Sequence, residues 1–259
     1  MRGEGVSANV FITGASSGIG AALAREFASR GAHLGLLARR GDALDALIAQ
    51  LPGRHRRYAV DVTDRARLIE AAREFESACG GVDLVVANAG ISSGALTECA
   101  EDLPVFERIV ATNFLAAVDT FHPFVAPMRA RGRGTLAAIA SVAGVRGLPG
   151  AGAYCASKAA LINYCESLRI ELHGSGVRVV TIAPGFIDTP MTAGNPYPMP
   201  LLMPADAFAR NAADAILGGA SYRVIPWQMA WLARLLRLLP NWAFDRMVYK
   251  RARKPRSLS

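Results

Sequence analysis

The chain has 259 residues, of which 52% are hydrophobic, so one large α/β domain is the simplest expectation and disorder is excluded. It lacks an uninterrupted apolar stretch of about 18 residues, so no transmembrane helix is predicted, and no signal-peptide run precedes the first predicted strand. The four cysteines have neither zinc-ligand nor redox-motif spacing, which predicts free thiols in the cytoplasm and no metal site.

The net charge of +8 is concentrated at one end of the sequence. Residues 221–259 hold nine basic residues and one acidic residue, whereas residues 1–220 hold twenty of each. The main part of the chain is therefore neutral. No recognised nucleic-acid-binding fold accompanies the basic end, so nucleic acid is not an expected partner.

Predicted strands and helices alternate along the chain. Short β-branched and aliphatic runs predict strands over residues 8–13, 32–38, 57–60, 82–87, 134–140, 177–183 and 222–225. Helices are predicted between them over residues 21–30, 42–51, 64–79, 103–131, 154–173 and 205–217. This alternation predicts a Rossmann-like, doubly wound parallel sheet, in which ligands bind at the carboxyl ends of the strands.

A glycine-rich turn joins the first strand to the first helix. It has the spacing G-x-x-x-G-x-G at Gly14, Gly18 and Gly20. Glycines let the backbone approach a pyrophosphate, and a helix N-terminus offers free N–H groups and a positive dipole end. A structural turn without a ligand is the alternative, because a single glycine-rich turn is weak evidence.

Arg39 and Arg40 follow the second strand, where a dinucleotide fold faces the adenine ribose. An acidic residue there would bind the ribose 2′-hydroxyl, whereas arginine accommodates a 2′-phosphate. The alternative is a solvated pair at a helix start, where cations oppose the helix dipole. The pair therefore favours a phosphate-binding role.

Tyr154 and Lys158 are four residues apart, so a helix places them one turn apart on one face. A nearby ammonium stabilises a phenolate and is expected to lower the pKa of Tyr154 from about 10 towards the pH of proton transfer. Ser141, in the preceding glycine-rich loop, supplies a hydroxyl that can hydrogen-bond an oxygen beside the phenol. Alone, the pair could equally be part of a solvated helix face.

Polar or glycine-containing clusters end most of the predicted strands, so the parallel sheet brings them to one edge. In their order and spacing they resemble the short-chain dehydrogenase/reductase family, in its single-domain branch. The resemblance covers residues 6–225 and departs at Ala87, where many members have a second Asn. The motifs are Thr13-Gly14-x-x-x-Gly18-x-Gly20, Asp61-Val62, Asn88-Ala89-Gly90, Asn113, Ser141, Tyr154-x-x-x-Lys158, and Pro184-Gly185 through Thr189.

The resemblance implies a catalytic set and an NADP(H) site, with no need for a metal. Tyr154 would protonate the substrate carbonyl oxygen, Ser141 would polarise the carbonyl, and Lys158 would lower the pKa of Tyr154 and bind the nicotinamide ribose. Asn113 would hold a water that relays protons to Lys158. The implied cofactor contacts are Gly14, Ser16, Ser17, Gly18, Ile19, Gly20, Arg39, Arg40, Asp61, Val62, Asn88, Ala89, Gly90, Tyr154, Lys158, Pro184, Gly185, Ile187 and Thr189.

Two segments beyond these motifs carry further expectations. Residues 189–204 contain five prolines and three methionines, which predicts an ordered apolar lid over an apolar substrate. A plain proline-rich connector is the alternative. Residues 226–259 form a predicted amphipathic, basic extension of the 1–225 domain and contain all three tryptophans.

The first predicted helix of that extension, over residues 227–239, has a broad apolar face. On a helical wheel, its Trp, Leu and Met side chains fill the arc outside one sector, which holds Ala230, Ala233, Arg234 and Arg237. Three covers for the broad face remain open: a membrane interface, a partner subunit of a homodimer or tetramer, or the substrate mouth. A membrane role through residues 227–256 would place the protein peripherally on the inner face of a membrane.

The leading functional hypothesis is an NADP(H)-dependent oxidoreductase that transfers a hydride between nicotinamide and a ketone or secondary alcohol. The substrate is expected to be lipophilic, of fatty 3-keto, keto-sphingoid or steroid type. The alternative from another class is a non-catalytic NADP-binding sensor or membrane-associated scaffold with the same fold. An epimerase or dehydratase is disfavoured, because those enzymes resemble a longer branch with a different glycine spacing.

Overall fold

The computed structural model describes residues 8–250 and 252–256. Its strands are β1 (Asn9–Thr13), β2 (His33–Ala38), β3 (Arg56–Ala59), β4 (Leu84–Ala87), β5 (Gly134–Ile139), β6 (Val177–Pro184), β7 (Ile187–Asp188), β8 (Met203–Pro204) and β9 (Tyr222–Ile225). Its α-helices are α1 (Gly18–Ser29), α2 (Gly41–Ile48), α3 (Arg65–Cys79), α4 (Leu103–Val110), α5 (Ala116–Arg131), α6 (Gly152–Glu171), α7 (Ala205–Leu217), α8 (Gln228–Leu238) and α9 (Asn241–Val248).

Seven of these strands form one parallel sheet in the order β3-β2-β1-β4-β5-β6-β9. From β1 the chain first builds outwards through β2 and β3, and then returns to build the other half from β4. The strand order therefore reverses between β1 and β4, which is where open α/β sheets bind their ligands. The predicted fold class, a doubly wound Rossmann-like sheet, is confirmed.

Helices cover both faces of the sheet, because its strands are apolar on both sides. Along β1, Val10 and Ile12 belong to the core under α1, α2 and α7, whereas Phe11 belongs to the core under α3, α5 and α6. The Phe11 ring lies 5.8 Å from the ring of Phe75 and 5.3 Å from that of Phe124. Two packed cores of this kind hold the strand ends, and the loops that follow them, in fixed positions.

The predicted helix over residues 103–131 is not continuous. A π-helical turn, Ala111–Leu115, separates α4 from α5. By length and composition the run Ala100–Arg131 could cross a membrane. However, Phe121, Phe124 and Met128 are fully buried in the core under α3, α5 and α6, so this run is a core helix here.

Two helices begin earlier than their sequences predict. Helix α1 starts at Gly18, not at residue 21, and α6 starts at Gly152, two residues before Tyr154. Glycine has a low helix propensity, so the sequence predicts loops at these positions. At the start of α1, glycine is required for close packing, because a Cβ on Gly20 would come within 2.2 Å of the Gly14 carbonyl oxygen.

The C-terminal helices α8 and α9 pack on the same body. Helix α8 buries a narrow face of Met229 and Ala233, and Met229 packs against Ala183 and Val224. Its broad apolar face is open: Trp231 is 63% exposed and Leu238 is 81% exposed. Within the described residues, the chain itself therefore does not cover the broad face.

Arg146 fastens these two helices to the loop that follows β5. Its guanidinium donates to the carbonyl oxygens of Leu236 (2.5 Å) and Leu239 (2.7 Å) and to Asn241 Oδ1 (2.8 Å). It also lies 4.1 Å from the centre of the Phe244 ring. A cation at the carbonyl end of a helix satisfies otherwise unpaired acceptors, so Arg146 fixes how α8 and α9 sit beside the loop.

Candidate active site

A cleft of about 390 Å³ opens at the carboxyl ends of the central strands. Nearly every residue that the sequence assigned to catalysis or cofactor binding lines it, including Arg39, Asp61, Ser141 and Thr189. Gly20 and Asn113 are the two predicted site residues that do not. The parallel sheet has therefore brought together segments that are more than a hundred residues apart.

The glycine-rich turn has the backbone shape that its sequence requires. Gly14 and Gly18 have φ values of +67° and +53°, which L side chains rarely adopt. Gly20 is needed for packing, because a Cβ there would lie 2.2 Å from the Gly14 carbonyl oxygen. Gly20 does not line the cleft, and its contact with the cofactor stays a prediction.

Asn88 holds the turn from the end of β4. Its side-chain amide donates to the carbonyl oxygens of Thr13 (3.0 Å) and Gly14 (3.1 Å). In return, the Thr13 hydroxyl accepts from the backbone N–H groups of Asn88 (3.2 Å) and Ala89 (3.3 Å). These bonds join β1 to β4 across the switch point and fix the floor of the cleft.

Polar side chains from the ends of the first three strands gather at one end of the cleft. Arg40 donates to the Ser16 hydroxyl over 3.3 Å, and Arg39 lies 3.9 Å from Asp61 with 71% of its side chain exposed. The other Asp61 oxygen accepts from the backbone and hydroxyl of Thr63. Both arginines line the cleft beside the glycine-rich turn, so they can meet an anion there.

Ser141, Tyr154 and Lys158 line another part of the cleft, where Ser141 and Lys158 are buried and Tyr154 is partly buried. The Ser141 hydroxyl lies close enough to that of Tyr154 to influence its pKa, and it accepts from the Ala143 N–H over 3.1 Å. Lys158 donates to the Ile139 carbonyl oxygen over 2.9 Å, and within the described residues this is its one hydrogen bond. The remaining N–H donors of the ammonium are available to a polar group in the cleft.

The expected lowering of the Tyr154 pKa by Lys158 is not found. Burial raises the pKa of Tyr154 above its ordinary value, and the neighbouring Ser141 hydroxyl opposes this only in part. The Lys158 ammonium is 6.0 Å from the centre of the Tyr154 ring. Burial also lowers the pKa of Lys158 to about 8, so the cation that was to stabilise the phenolate is itself destabilised.

Asn113 lies behind this set, on the π-helical turn. Its Oδ1 accepts from the Ile91 N–H over 2.8 Å, while Nδ2 donates to the Ile91 carbonyl oxygen (3.0 Å) and the Ser157 hydroxyl (3.0 Å). A Cβ on Gly90 would lie 3.3 Å from Asn113 Oδ1 and 3.5 Å from Lys158 Nζ. Glycine at position 90 therefore keeps a space open between these two polar groups.

Several cleft residues were missed by the sequence reasoning. Ile91, Arg108 and Thr112 line it from the loop after β4 and from the α4–α5 run. No motif marks them, although Arg108 and Thr112 have the helical i, i+4 spacing that places both on one face. Met191 and its neighbours line the cleft too, so the first part of the proline- and methionine-rich segment is cleft wall and not only connector.

The chain residues fit a bound dinucleotide. The glycines leave room for a pyrophosphate beside the N-terminus of α1, and the arginines stand at the ribose end. At the other end, the buried Lys158 ammonium retains free donors towards the cleft. Among the described residues, no group of three or more His, Cys, Asp or Glu side chains could hold a metal ion.

Comparisons with known proteins agree with this geometry. The short chain dehydrogenase family model matches residues 8–197. An uncharacterized oxidoreductase of Myxococcus xanthus is 41% identical over 240 residues, which are 90% of this chain and 93% of that protein. A 3-oxoacyl-[acyl-carrier-protein] reductase of Thermotoga maritima is 35% identical over 184 residues, covering 70% of this chain and 74% of that protein.

The fold has the same support from solved structures. A short chain dehydrogenase from Burkholderia cenocepacia, solved in complex with NADP, superposes with a TM-score of 0.80. That structure is 23% identical and covers 95% of this chain and 98% of its own. With the family model, the relatives, the fold and the cleft in agreement, the chain belongs to the short-chain dehydrogenase family of oxidoreductases.

Proposed function

We propose that the protein is an NADP(H)-dependent oxidoreductase that interconverts an apolar ketone and its secondary alcohol. The observation that carries the proposal is that Ser141, Tyr154 and the buried Lys158 line the same cleft as the glycine-rich turn. A proton donor and a dinucleotide cradle in one cleft are what carbonyl reduction needs.

The chain residues divide the proton chemistry between them. A bound nicotinamide supplies or accepts the hydride. The Tyr154 hydroxyl donates a proton to the substrate oxygen in the reduction direction, and the Ser141 hydroxyl hydrogen-bonds the same oxygen. Because its pKa is raised, Tyr154 stays protonated until it donates its proton to the substrate oxygen. Lys158 and Asn113 would return a proton to Tyr154 through water, and the absence of a Cβ at Gly90, close to both side chains, supports this role.

The preference for NADP(H) is supported by the arginine pair. Arg39 is largely exposed, and its contact with Asp61 is long, at 3.9 Å, so its guanidinium can turn to a 2′-phosphate with little loss. Arg40 already points to Ser16 of the glycine-rich turn. A 2′-hydroxyl would instead favour an acidic acceptor, and Asp61 lies one strand further along the sheet.

The apolar character of the substrate is supported by the part of the cleft wall that follows β6. Pro190 and Met191 line the cleft, and the rings of Phe186, just before β7, and Tyr197 lie 6.4 Å apart. A short ladder of β7 and β8 closes the base of this segment. The similarity to a 3-oxoacyl reductase is consistent with a 3-keto acyl chain as one member of this class.

The exposed face of α8 supports a peripheral membrane association, which would place the protein at the inner face of a membrane. Trp231 and Leu235 are more than half exposed, and Arg234 stands 5.3 Å from the Trp231 ring. Tryptophan, leucine and arginine on one helix suit a membrane interface. A homodimer or tetramer that covers the same face is the competing arrangement, and the two are separated by vesicle flotation.

A substrate screen tests the proposal. Purified protein is mixed with NADPH or NADH and a panel of ketones that includes a 3-ketoacyl thioester, a steroid ketone and methyl ketones of graded length. We expect ketone-dependent loss of reduced-cofactor absorbance with NADPH and a preference for the longer, apolar ketones. Equal rates with NADH would contradict the cofactor assignment, and a preference for charged, polar ketones would contradict the substrate class.

A further inference from the structure

The last described residues, 252–256, pack along loops beside the cleft, and we name them the C-terminal strap. The Gly94 N–H donates to the Pro255 carbonyl oxygen over 3.0 Å, and Gly94 pairs with Arg256 as an isolated parallel bridge. On the other side of Gly94, Ala95 pairs with Ala151 in the same way. The strap is thus the outer member of three backbone segments that lie side by side.

An ion pair between a partly exposed Arg256 and a buried Asp102 anchors the end of the strap. The Asp102 side chain is 0% exposed. It accepts two bonds from the Arg256 guanidinium, at 2.8 Å and 3.1 Å, and one from the Leu96 N–H at 2.7 Å. Its hydrogen bonds with the Arg256 guanidinium hold the pKa of Asp102 below its usual range. A buried carboxylate without its cation is strongly unfavourable, so the fold has a physical reason to keep Arg256 in place.

Lys254 joins the strap to the lid. Its ammonium donates to the Met191 carbonyl oxygen over 3.1 Å, and Met191 lines the cleft. Burial lowers the pKa of Lys254, as expected for an ammonium held against protein and not extended into solvent. Through Lys254 and Arg256, the C-terminal strap contacts both the lid and the segment after β4.

Two glycines show how closely the strap is packed. A Cβ on Gly94 would lie 2.2 Å from the Lys254 carbonyl oxygen, and a Cβ on Gly150 would lie 3.2 Å from the Arg253 side chain. Gly94 does not have a positive φ. The crossing of the strap therefore explains a glycine at position 94, whereas backbone conformation does not.

We infer that the C-terminal strap fixes the substrate-side wall of the cleft and thereby determines how tightly a long apolar ketone is held. Arg256 and Lys254 are positioning residues, which act through Asp102 and Met191 and do not touch the reacting atoms. The strapped loops lead directly to Tyr154, because Gly150 is followed by the start of α6 at Gly152. If the wall is already ordered before binding, the free energy of substrate binding is not reduced by the entropic cost of ordering the wall. The inference about substrate rests on the proposed function.

Gly94→Ala tests the strap without altering a strap residue. Gly147→Ala is the matched control, because Gly147 lies in the loop after β5 with a non-positive φ and nothing within 4 Å of an added Cβ. Hydrogen exchange followed by mass spectrometry reports on the full-length protein. We expect Gly94→Ala to speed exchange about tenfold or more around residue 94 and across residues 189–193, with no change in the control.

Kinetics supply the second readout, with 2-undecanone and 2-butanone as the long and short ketones. Gly94→Ala and Lys254→Met should raise KM for 2-undecanone about threefold to tenfold while kcat and KM for 2-butanone stay near wild type. Lys254→Met leaves the ion pair between Arg256 and Asp102 intact. If Gly94→Ala does not fold, Lys254→Met alone tests whether the strap holds the lid.

The outcomes separate the strap from the proposed function. If wild type reduces neither ketone, the proposed function fails for this class, and exchange at residues 189–193 alone decides whether the strap holds the lid. Unchanged exchange at those residues in both variants would overturn the inference. Equal changes in KM for the long and short ketones would overturn its substrate part.

Discussion

The two sides of the cleft are built in different ways. The nucleotide side consists of loops that directly follow strands, such as the turn at Gly14 and the Asn88 segment at the end of β4. On the proposed substrate side, a proline-rich segment lines the cleft. The C-terminal residues contact the neighbouring loops through bonds made by Arg146, Lys254 and Arg256. A parallel sheet fixes the first side by its topology, whereas the second depends on individual side-chain bonds.

This difference indicates where variation is tolerated. Strand-end loops cannot move without disturbing the packed cores, so the dinucleotide side is held by the fold itself. The substrate side is held by a few hydrogen bonds and ion pairs, which can be exchanged one at a time. We therefore expect substitutions on the nucleotide side to change chemistry and cofactor use, and those on the substrate side to change selectivity.

The largest effect is expected for Tyr154→Phe. Loss of the hydroxyl removes the proton donor but keeps the ring, so kcat should fall about 10²–10⁴-fold while NADPH binding is retained. Tyr164→Phe is the matched control, since Tyr164 lies on the same helix and packs against Phe114 and not in the cleft. Turnover of Tyr154→Phe near the control value would show that another group donates the proton.

Lys158→Met should change the dependence of stability on pH. The folded-state pKa of Lys158 is lowered to about 8 by burial, so the unfolded chain binds more protons between about pH 8 and 10.5. Wild-type stability at pH 7 is therefore reduced by roughly 3 kcal/mol, an amount that is regained as the pH rises through that window.

The corresponding measurement is denaturant unfolding of both proteins from pH 7 to 10. Lys158→Met should be the more stable protein at pH 7, and its advantage should shrink as the pH rises. It should also bind NADPH more weakly. A stability difference that is constant with pH would mean that Lys158 is not buried as a cation.

Arg39→Asp tests the selectivity of the nucleotide side. Losing a charge-assisted contact to the 2′-phosphate costs about 1.5–3 kcal/mol, so KM for NADPH should rise at least about tenfold while KM for NADH changes little. The control is Arg169→Asp, which reverses the charge of an exposed arginine on α6 outside the cleft. Parallel changes in KM for both cofactors would instead point to a general effect of charge.

The smallest effect is expected for the exposed face of α8. Trp231→Ser with Leu235→Ser removes apolar surface but leaves the inward face of Met229 and Ala233 intact. Flotation with anionic vesicles should weaken about fivefold or more, and high salt should weaken it only in part. Ile170→Ser, at a 63% exposed position on α6, is the control.

The same substitutions distinguish the alternative cover of that face. If a second copy of the chain covers α8, wild type will not float with vesicles, and the double variant will change the mass of the oligomer measured in solution. Flotation of the double variant at the wild-type level would contradict the membrane proposal.

The sequence predicts the nucleotide side of the cleft more fully than the substrate side. The strand and helix order and the nucleotide-side residues could be predicted, because apolar runs mark strands and the glycine-rich turn has a defined spacing. The burial that raises the Tyr154 pKa could not be predicted, since it depends on tertiary packing. The π-helical turn at Asn113 and the partner of Asp102 also leave no local signal, because Arg256 is 154 residues away.

Transfer of deuterium from labelled NADPH tests the central claim most directly. NADPH carrying deuterium at its transferable position is incubated with wild-type protein and the best ketone from the screen, and the alcohol is analysed by mass spectrometry. The account predicts one deuterium in each alcohol molecule formed, and almost no product from Tyr154→Phe although that variant binds NADPH. Binding of NADPH by wild type without deuterium transfer to any ketone would contradict the account and favour a non-catalytic sensor or scaffold.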